Sequence, residues 1–267
     1  MKSFYLVSIL APALVSLTFA PFSNAADSQT TTKGKELAAR LSELRENGAS
    51  YVRLRMDING TTTGTLQIQI KERRMKSSTE VVYQVLFPKE RKGESVLVRK
   101  IENRAATGSI FVPPNTLRSI DDLKESLLGS DLAYEDIVDN FFAWDQQTII
   151  DTEKVDGEKC AILESKPGKD ERSIYSSVKS WIDVRRLVPL RVEKYDSSGK
   201  MVRRIDTTRV VTDSGHHIPA NLTVSGSRPD SSTLIDGSRI RHDVTYTDRD
   251  FTVEGVKEII TPRKSAD

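Results

Sequence analysis

Cysteine and histidine are scarce in this chain of 267 residues, which contains one cysteine and three histidines. Cys160 has no partner for an internal disulfide, and a cysteine-based structural zinc site is excluded for the same reason. His216 and His217 are neighbours in a predicted turn. With His242 they do not supply the three or four converging ligands that zinc needs. We therefore expect no metal site.

An excess of charge of one sign is also missing. Lysine and arginine number 40 against 38 aspartates and glutamates, which gives a formal net charge of +2. This balance argues against a strongly cationic nucleic-acid binder, so we expect no nucleic-acid partner. Beyond residue 25 no stretch of the sequence is long and apolar enough to span a bilayer.

The N-terminus has the pattern of a secretory signal peptide. After a short basic start, Phe4 to Ala20 is almost wholly apolar, and Ser23-Asn24-Ala25 places small residues at the −3 and −1 positions of a cleavage site. We predict a signal peptide over residues 1–25, a disordered lead-in over 26–32 and one domain over 33–267. The residue after the predicted cleavage site is not cysteine, so we expect an unlipidated, soluble protein in the periplasm.

A helical pattern comes first in the predicted domain and an alternating pattern follows it. Leu37, Leu41 and Leu44 recur at helical spacing, and Asn47-Gly48 ends this segment. Apolar and polar residues then alternate along most of the chain, which predicts about ten or eleven antiparallel strands, each with one apolar face. The apolar positions on the first strands include Val52, Leu54, Met56, Leu66, Ile68, Val81, Tyr83 and Val85.

Two further helices are predicted between the strands, one over Ser119–Gly129 and one that starts near Ala133. The second helix carries apolar residues at spacings of four and three, which place them on one face. These residues are Ile137, Phe141 and Trp144. Its acidic residues are expected in the first turn and on a solvated face, although such a cluster also allows a catalytic acid pair. The acidic residues are Glu135, Asp136 and Asp139.

The apolar side of such a sheet must be covered. Ten or more strands present more apolar surface than two or three helices cover, unless the sheet curls into a half-barrel that keeps a cavity. A packed sandwich or a filled barrel satisfies the pattern as well. The strand pattern leaves these architectures open.

Catalytic motifs are largely missing. Ser176 and Lys179 have the Ser-x-x-Lys spacing of serine acyl-enzymes, but they lie in an alternating strand pattern, and the accompanying Lys-Thr-Gly element is missing. The sequence contains no Gly-x-Ser-x-Gly motif, no phosphate-binding glycine loop and no dinucleotide fingerprint. Cys160 is expected in the core. We therefore expect neither an enzyme nor a bound cofactor.

Several short segments carry a family resemblance. They are Leu86 to Ser95, Gly129 to Ile137, Trp181-Ile182-Asp183, Leu187 to Arg191, Tyr195-Asp196 and Gly199-Lys200. The combination of Gly-Ser-Asp, an aromatic-Glu-Asp helix start and a downstream Trp strand is more specific than any one segment. In this order the segments resemble the outer-membrane lipoprotein-sorting proteins of the LolA-like superfamily, and more narrowly its longer periplasmic group.

The resemblance implies a mainly β fold in which a single curved antiparallel sheet forms an unclosed β-barrel, with a few helices as plug or lid. It also implies a carrier that binds acyl chains of lipoproteins or lipids and moves them toward the outer membrane. The implied partners are an inner-membrane export complex and an outer-membrane acceptor, and we expect a monomer. We then predict that the eight apolar strand residues line an acyl cavity and that Ile137, Phe141 and Trp144 form its lid.

Three other interpretations stay open. A periplasmic lipid-sensing or envelope-stress regulatory module of the same fold needs a second domain, for which the chain has little room. A serine hydrolase acting on acyl substrates needs a nucleophile, a base and an orienting group, which the sequence does not supply as a set. The third interpretation is a purely structural β-domain.

Overall fold

The computed structural model of the protein describes residues 24–46, 48–60, 63–75, 77–213, 215–226, 228, 230–242 and 244–262. Nearly all of the predicted signal peptide therefore lies outside the described residues.

Thirteen strands in the described residues form one antiparallel sheet. The strands are β1 (Gly48–Asn59), β2 (Gly64–Met75), β3 (Ser78–Phe87), β4 (Ser95–Ile101), β5 (Thr107–Val112), β6 (Thr116–Ser119), β7 (Gln146–Val155), β8 (Glu158–Lys166), β9 (Ser177–Asp183), β10 (Val188–Tyr195), β11 (Met201–Asp213), β12 (His216–Ser225) and β13 (Ser232–Arg241). Two meanders, β1 to β6 and β7 to β13, join where β1 pairs with β13. β6 and β7 are the two edges, so the predicted unclosed barrel is confirmed.

The two edge strands account for the excess over the ten or eleven strands that the alternation predicts. All four residues of β6 are exposed, and most of β7 is exposed or only partly buried. An edge strand with few buried positions has no apolar alternation for a pattern to detect. The turn between β7 and β8 does have a local signal, since Asp156 and Gly157 both adopt the positive φ of a two-residue hairpin turn.

One α-helix, α1 (Asn24–Glu46), precedes the sheet. The prediction of a disordered lead-in over residues 26–32 is wrong, because this segment belongs to α1. Leu37 and Leu41 are buried, as their spacing predicts. α1 packs closely on β7, since a Cβ atom added at Gly34 would lie 2.7 Å from the carbonyl oxygen of Gln147. A residue without a side chain lets the helix approach this edge of the sheet.

The two helices predicted after β5 do not form. Ser119 ends β6, and residues 120–144, which we call the plug, contain only short 3-10 turns. These turns are Leu127–Gly129, Glu135–Ile137 and Phe141–Ala143. The amides of Tyr134 and Glu135 bond to the carbonyls of residues 125 and 123, so the plug folds back on itself. Leu128 has a φ of 55°, which a continuous right-handed helix does not allow.

The main core lies on the side of the sheet that the plug covers, which we call the inner face. Alternate residues of β1 to β5 point to this core and are joined there by Val224 of β12 and Ile235 of β13. A second cluster on the same side connects α1 and the end of the plug with β8, β9 and β10. The alternation of apolar and polar residues thus positions both clusters.

The opposite, outer face of β1 to β5 is covered by residues 244–262, which we call the strap. Phe251 and Val256 of the strap are buried against Val82, Leu97 and Phe111. The alternation predicts a charged or hydroxylated outer face for these strands. Part of that face is buried beneath the strap instead, including Gln69, Lys71, Glu80 and Gln84.

Candidate functional site

The eight residues predicted to line a cavity come together on the inner face of β1, β2 and β3. Six of them are buried, and Val52 and Tyr83 are partly buried against the same cluster. The register explains this arrangement, because Leu54 lies opposite Ile68, and Ile68 lies opposite Val85. Together the eight side chains form one continuous apolar surface.

The plug covers this surface with apolar side chains of its own. All of the following plug residues are buried in the same cluster: Leu127, Leu128, Leu132, Tyr134, Ile137 and Val138. The lining residues therefore pack against the plug. An acyl chain that is to bind this surface must displace plug side chains.

The three predicted lid residues are all buried in the plug, but they do not share one face. Ile137 belongs to the main core cluster, whereas Phe141 and Trp144 pack in the second cluster with α1. The rings of Phe141 and Trp144 meet edge to face, with their centroids 6.3 Å apart. The prediction of a common helical face is wrong, because 3-10 turns and not one α-helix carry these residues.

A cleft of about 440 Å³ opens beside Trp144. Its walls come from the end of the β2–β3 hairpin, the turn after β4, the end of the plug and the loop before β9. Lys100 and Glu171 lie in these walls and form an ion pair with Nζ and Oε1 2.6 Å apart. The cleft reaches Trp144 but none of the eight lining residues.

Asp136 of the plug is buried among charged groups of the sheet. Its Oδ1 lies 2.8 Å from Lys194 Nζ and its Oδ2 lies 3.1 Å from Arg203 Nε. Tyr175 donates its hydroxyl to Oδ1 at 2.7 Å, and the amide of Ala133 donates to Oδ2 at 2.7 Å. Burial raises the pKa of Asp136, but the charges of Lys194 and Arg203 outweigh it and hold this pKa below its usual value. The prediction of a solvated acidic residue at this position is wrong.

Asp131 anchors the beginning of the same plug segment to β13. Its carboxylate accepts hydrogen bonds from Ser231 Oγ at 2.5 Å and Thr233 Oγ1 at 2.8 Å. The Arg203 side chain also donates to the main-chain carbonyl of Asp131. The Gly-Ser-Asp element is thus held to two strands by polar contacts.

Glu135 is buried as well, with 3% of its surface exposed. Its carboxylate accepts hydrogen bonds from the Ser173 hydroxyl and from the amide of Ile174. Burial, followed by the nearby carboxylate of Asp139, raises the pKa of Glu135 to about 7. Asp139 is buried too, so the expectation of a solvated acidic face is wrong for all three acids.

The remaining candidate catalytic and metal-binding residues do not form a site. Ser176 donates its hydroxyl to the carbonyl of Tyr195, whose ring lies 5.1 Å from Lys179 Nζ. Among the described residues no hydrogen bond joins Ser176 to Lys179, and no group of three or more His, Cys, Asp or Glu is arranged to hold a metal ion. In the same part of the chain, no helix combines the length and apolarity needed to cross a membrane.

Sequence reasoning missed the two sheet cations beneath the plug, although one signal was present. Val188, Leu190 and Val192 are buried at every second position of β10, and Lys194 continues that series. A lysine whose side chain points to the apolar side of a strand must either be paired with an anion or face a cavity. Arg203 has a weaker signal, because β11 is only partly buried along most of its length.

Comparison with known proteins identifies a family and a fold. A family model described as "Uncharacterized protein" matches residues 77–258. No curated protein matches the sequence with significance. Among solved structures, a DUF1329 family protein from Desulfovibrio piger has a TM-score of 0.78 at 24% identity, over 85% of this chain and 99% of that one.

Two further structures have the same fold. An outer membrane lipoprotein-sorting protein domain from Vibrio parahaemolyticus has a TM-score of 0.75 at 20% identity, over 85% of this chain and 99% of that one. A LolA superfamily protein from Nitrosomonas europaea has a TM-score of 0.63 at 18% identity, over 84% of this chain and 97% of that one. The LolA-like fold that the sequence resemblance implies is thereby confirmed.

Proposed function

We propose that this chain, which belongs to the family whose model matches residues 77–258 and has the fold of a LolA superfamily protein, is a periplasmic carrier of acyl chains. It binds the acyl chains of lipoproteins or lipids on the inner face and moves them toward the outer membrane. An inner-membrane export complex loads it and an outer-membrane acceptor unloads it. The description of the Vibrio domain as a lipoprotein-sorting protein supports this assignment.

The observation that carries the proposal is how the inner face is covered. A continuous apolar surface on β1 to β3 is closed by an irregular segment of the chain and not by a second sheet. The plug has few main-chain hydrogen bonds of regular structure to lose when it moves. A segment of this kind is suited to exchange places with an apolar ligand.

The energetics favour burial of acyl chains there. Each methylene moved out of water contributes about 0.8 kcal/mol, so two acyl chains of ordinary length contribute on the order of 20 kcal/mol before ordering costs. Displacing the plug exposes its own leucines and offsets part of this gain. Loading and release both require that the filled and empty states differ by only a few kcal/mol, so the plug must offset most of this gain. Such a carrier needs no catalytic group.

The first test is mass spectrometry of lipids extracted from protein purified without detergent. We expect acyl lipids or acylated peptides in amounts comparable to that of the protein. A preparation that contains none, and that takes up neither phospholipid nor acylated peptide afterwards, contradicts the proposal.

The second test uses the two tryptophans of the chain as separate reporters. Trp144 lies in the plug, whereas Trp181 packs with Val188 and Leu190 and donates its indole N–H to Glu153. A Trp181→Phe variant leaves Trp144 as reporter, and its fluorescence should change when lipid is added. The matched Trp144→Phe variant should show no change. An unchanged Trp144 spectrum at lipid concentrations that saturate binding contradicts a role of Trp144 in the lid.

A further inference from the structure

Two cations lie side by side on the inner face beneath the plug. Lys194 of β10 and Arg203 of β11 are direct partners in the antiparallel register. Their side chains are 2% and 12% exposed. Like charges directly opposite each other in a sheet are destabilising, and burial makes each charge harder to accommodate. This pair of residues therefore needs an anion.

The anion comes from the plug. In the described part of the chain, the ion pairs of Lys194 and Arg203 both go to Asp136. The neighbouring acids Glu135 and Asp139 also belong to the plug. The groups that the sheet side contributes around Asp136 are the two cations and the hydroxyl of Tyr175.

Movement of the plug separates these charges. When the plug leaves the inner face, Asp136, Glu135 and Asp139 leave with it, and Lys194 and Arg203 stay on the sheet. Two buried cations without a counter-ion are strongly unfavourable. A neutral ligand that covers the inner face leaves them in that state, whereas an anionic ligand does not.

We propose that the ligand of the inner face carries an anionic phosphate headgroup, which Lys194 and Arg203 bind in the place of Asp136. This inference rests on the proposed carrier function and defines its ligand class. Asp136 satisfies the pair only in part, because Arg203 Nε lies 3.1 Å from Oδ2 without hydrogen-bonding geometry. A phosphate offers more acceptor oxygens than a carboxylate, and a guanidinium binds phosphate through two parallel hydrogen bonds. Tyr175 is placed to donate a further hydrogen bond.

The test compares two ligands that differ only in the phosphate. Calorimetric titration of the delipidated protein with dioctanoyl phosphatidic acid and with dioctanoylglycerol measures the contribution of the headgroup. We expect phosphatidic acid to bind at least tenfold more tightly. Inorganic phosphate forms the third arm, and we expect it to bind far more weakly than the phospholipid because it buries no acyl chain.

Two variants assign the effect to the cation pair. Lys194→Met keeps the length of the side chain and should reduce the preference for phosphatidic acid to less than threefold. Asp136→Asn removes the competing anion and should raise affinity for phosphatidic acid about tenfold relative to dioctanoylglycerol. Lys179→Met is the matched control, since Lys179 lies on β9 over the Tyr195 ring, away from Asp136, and should keep the wild-type preference.

The outcomes separate the inference from the proposed function. Equal binding of both lipids by the wild-type protein overturns the phosphate headgroup while leaving the carrier intact. The phosphate headgroup is also overturned if Asp136→Asn leaves the preference for phosphatidic acid over dioctanoylglycerol unchanged. This result does not depend on whether Lys194→Met folds. Inorganic phosphate that binds as tightly as phosphatidic acid points to a free-phosphate site and contradicts a lipid headgroup. Binding of neither lipid overturns the phosphate headgroup, and it contradicts the carrier function as well when acylated peptide is not taken up either.

Discussion

The two faces of the sheet are covered by segments of similar kind whose polar contacts are distributed differently. The plug on the inner face is held by two buried cations that converge on Asp136, with neutral hydrogen bonds at Asp131 and Glu135 on either side of it along the chain. The strap on the outer face is held by polar contacts spread over several strands, which include the ion pairs Lys71–Asp250 and Arg73–Asp248 and a set of neutral donors. Ser95 Oγ and Gln84 Nε2 donate to the carbonyl of Val256 at 3.0 and 2.9 Å, and Gln69 Nε2 donates to the carbonyl of Ile260 at 3.4 Å.

This difference indicates which covering can be exchanged. Each neutral hydrogen bond of the strap contributes about 1 kcal/mol, and no single ligand group replaces a set of contacts spread across several strands. The charges beneath the plug are satisfied at one place, so one anionic group can replace Asp136. We therefore expect the plug to move during function and the strap to remain in place.

The largest expected effect is the loss of an aromatic side chain from either covering. Phe251→Ala in the strap creates a cavity among Val82, Leu97 and Phe111. Phe141→Ala in the plug creates a cavity beside α1. Each should lower the free energy of unfolding by about 3–5 kcal/mol, measured by urea denaturation. Only Phe141→Ala should also weaken lipid binding beyond its stability loss. If Phe251→Ala weakens lipid binding equally while folded, the distinction between the coverings is wrong.

The next effect compares two buried lysines that are each 2% exposed and paired with an aspartate. Lys194→Met should lower the free energy of unfolding by about 3 kcal/mol, because it leaves Asp136 buried with an incomplete set of partners. Lys71→Met on the strap side should cost only about 1 kcal/mol. The reason is that 17% of the partner Asp250 is exposed, against 1% of Asp136. If urea denaturation gives equal losses of unfolding free energy for the two variants, the plug and the strap depend on their buried ion pairs to the same degree.

The smallest effect is a pH dependence confined to the plug. The pKa of Glu135 is raised from 4.5 to about 7, so the folded protein holds this proton more tightly than the unfolded chain does. Stability from this group is complete below pH 4.5 and is lost as the pH rises through 7, and about 2 kcal/mol of it is lost between pH 5 and pH 7. Groups that face Glu135 are Asp139, Lys194 and the donors of Ser173 and Ile174.

The strap has no corresponding change in that range. Burial raises the pKa of Asp250, but the hydrogen bonds from Thr247 and Lys71 outweigh it and lower this pKa below 3.8, so its effect falls at more acidic pH. Hydrogen exchange at pH 5 and pH 7, corrected for intrinsic rates, should show weaker protection of plug amides at pH 7 and unchanged protection of strap amides. Glu135→Gln should abolish the difference. A wild-type plug that is equally protected at both values contradicts this assignment.

Prediction from sequence succeeded where one residue pattern has one structural outcome. The alternation on β1, β2 and β3 identifies the buried residues of the inner face, because side chains of a strand must point to opposite sides. It failed in the plug. The spacing of Ile137, Phe141 and Trp144 is helical, but the segment is held in place by contacts with distant strands, which local spacing does not contain.

The sequence by itself thus determined the antiparallel sheet and its apolar face through periodicity. The LolA-like fold was implied by a family resemblance that short segments in a fixed order carry. Only the tertiary structure decided what covers each face. The strap buries outer-face residues that the alternation predicts to be exposed to solvent. Asp136 contacts Lys194 and Arg203, which lie 58 and 67 residues further along the chain. Buried charges are tolerated only where opposite charges converge, and that convergence is a property of the folded chain.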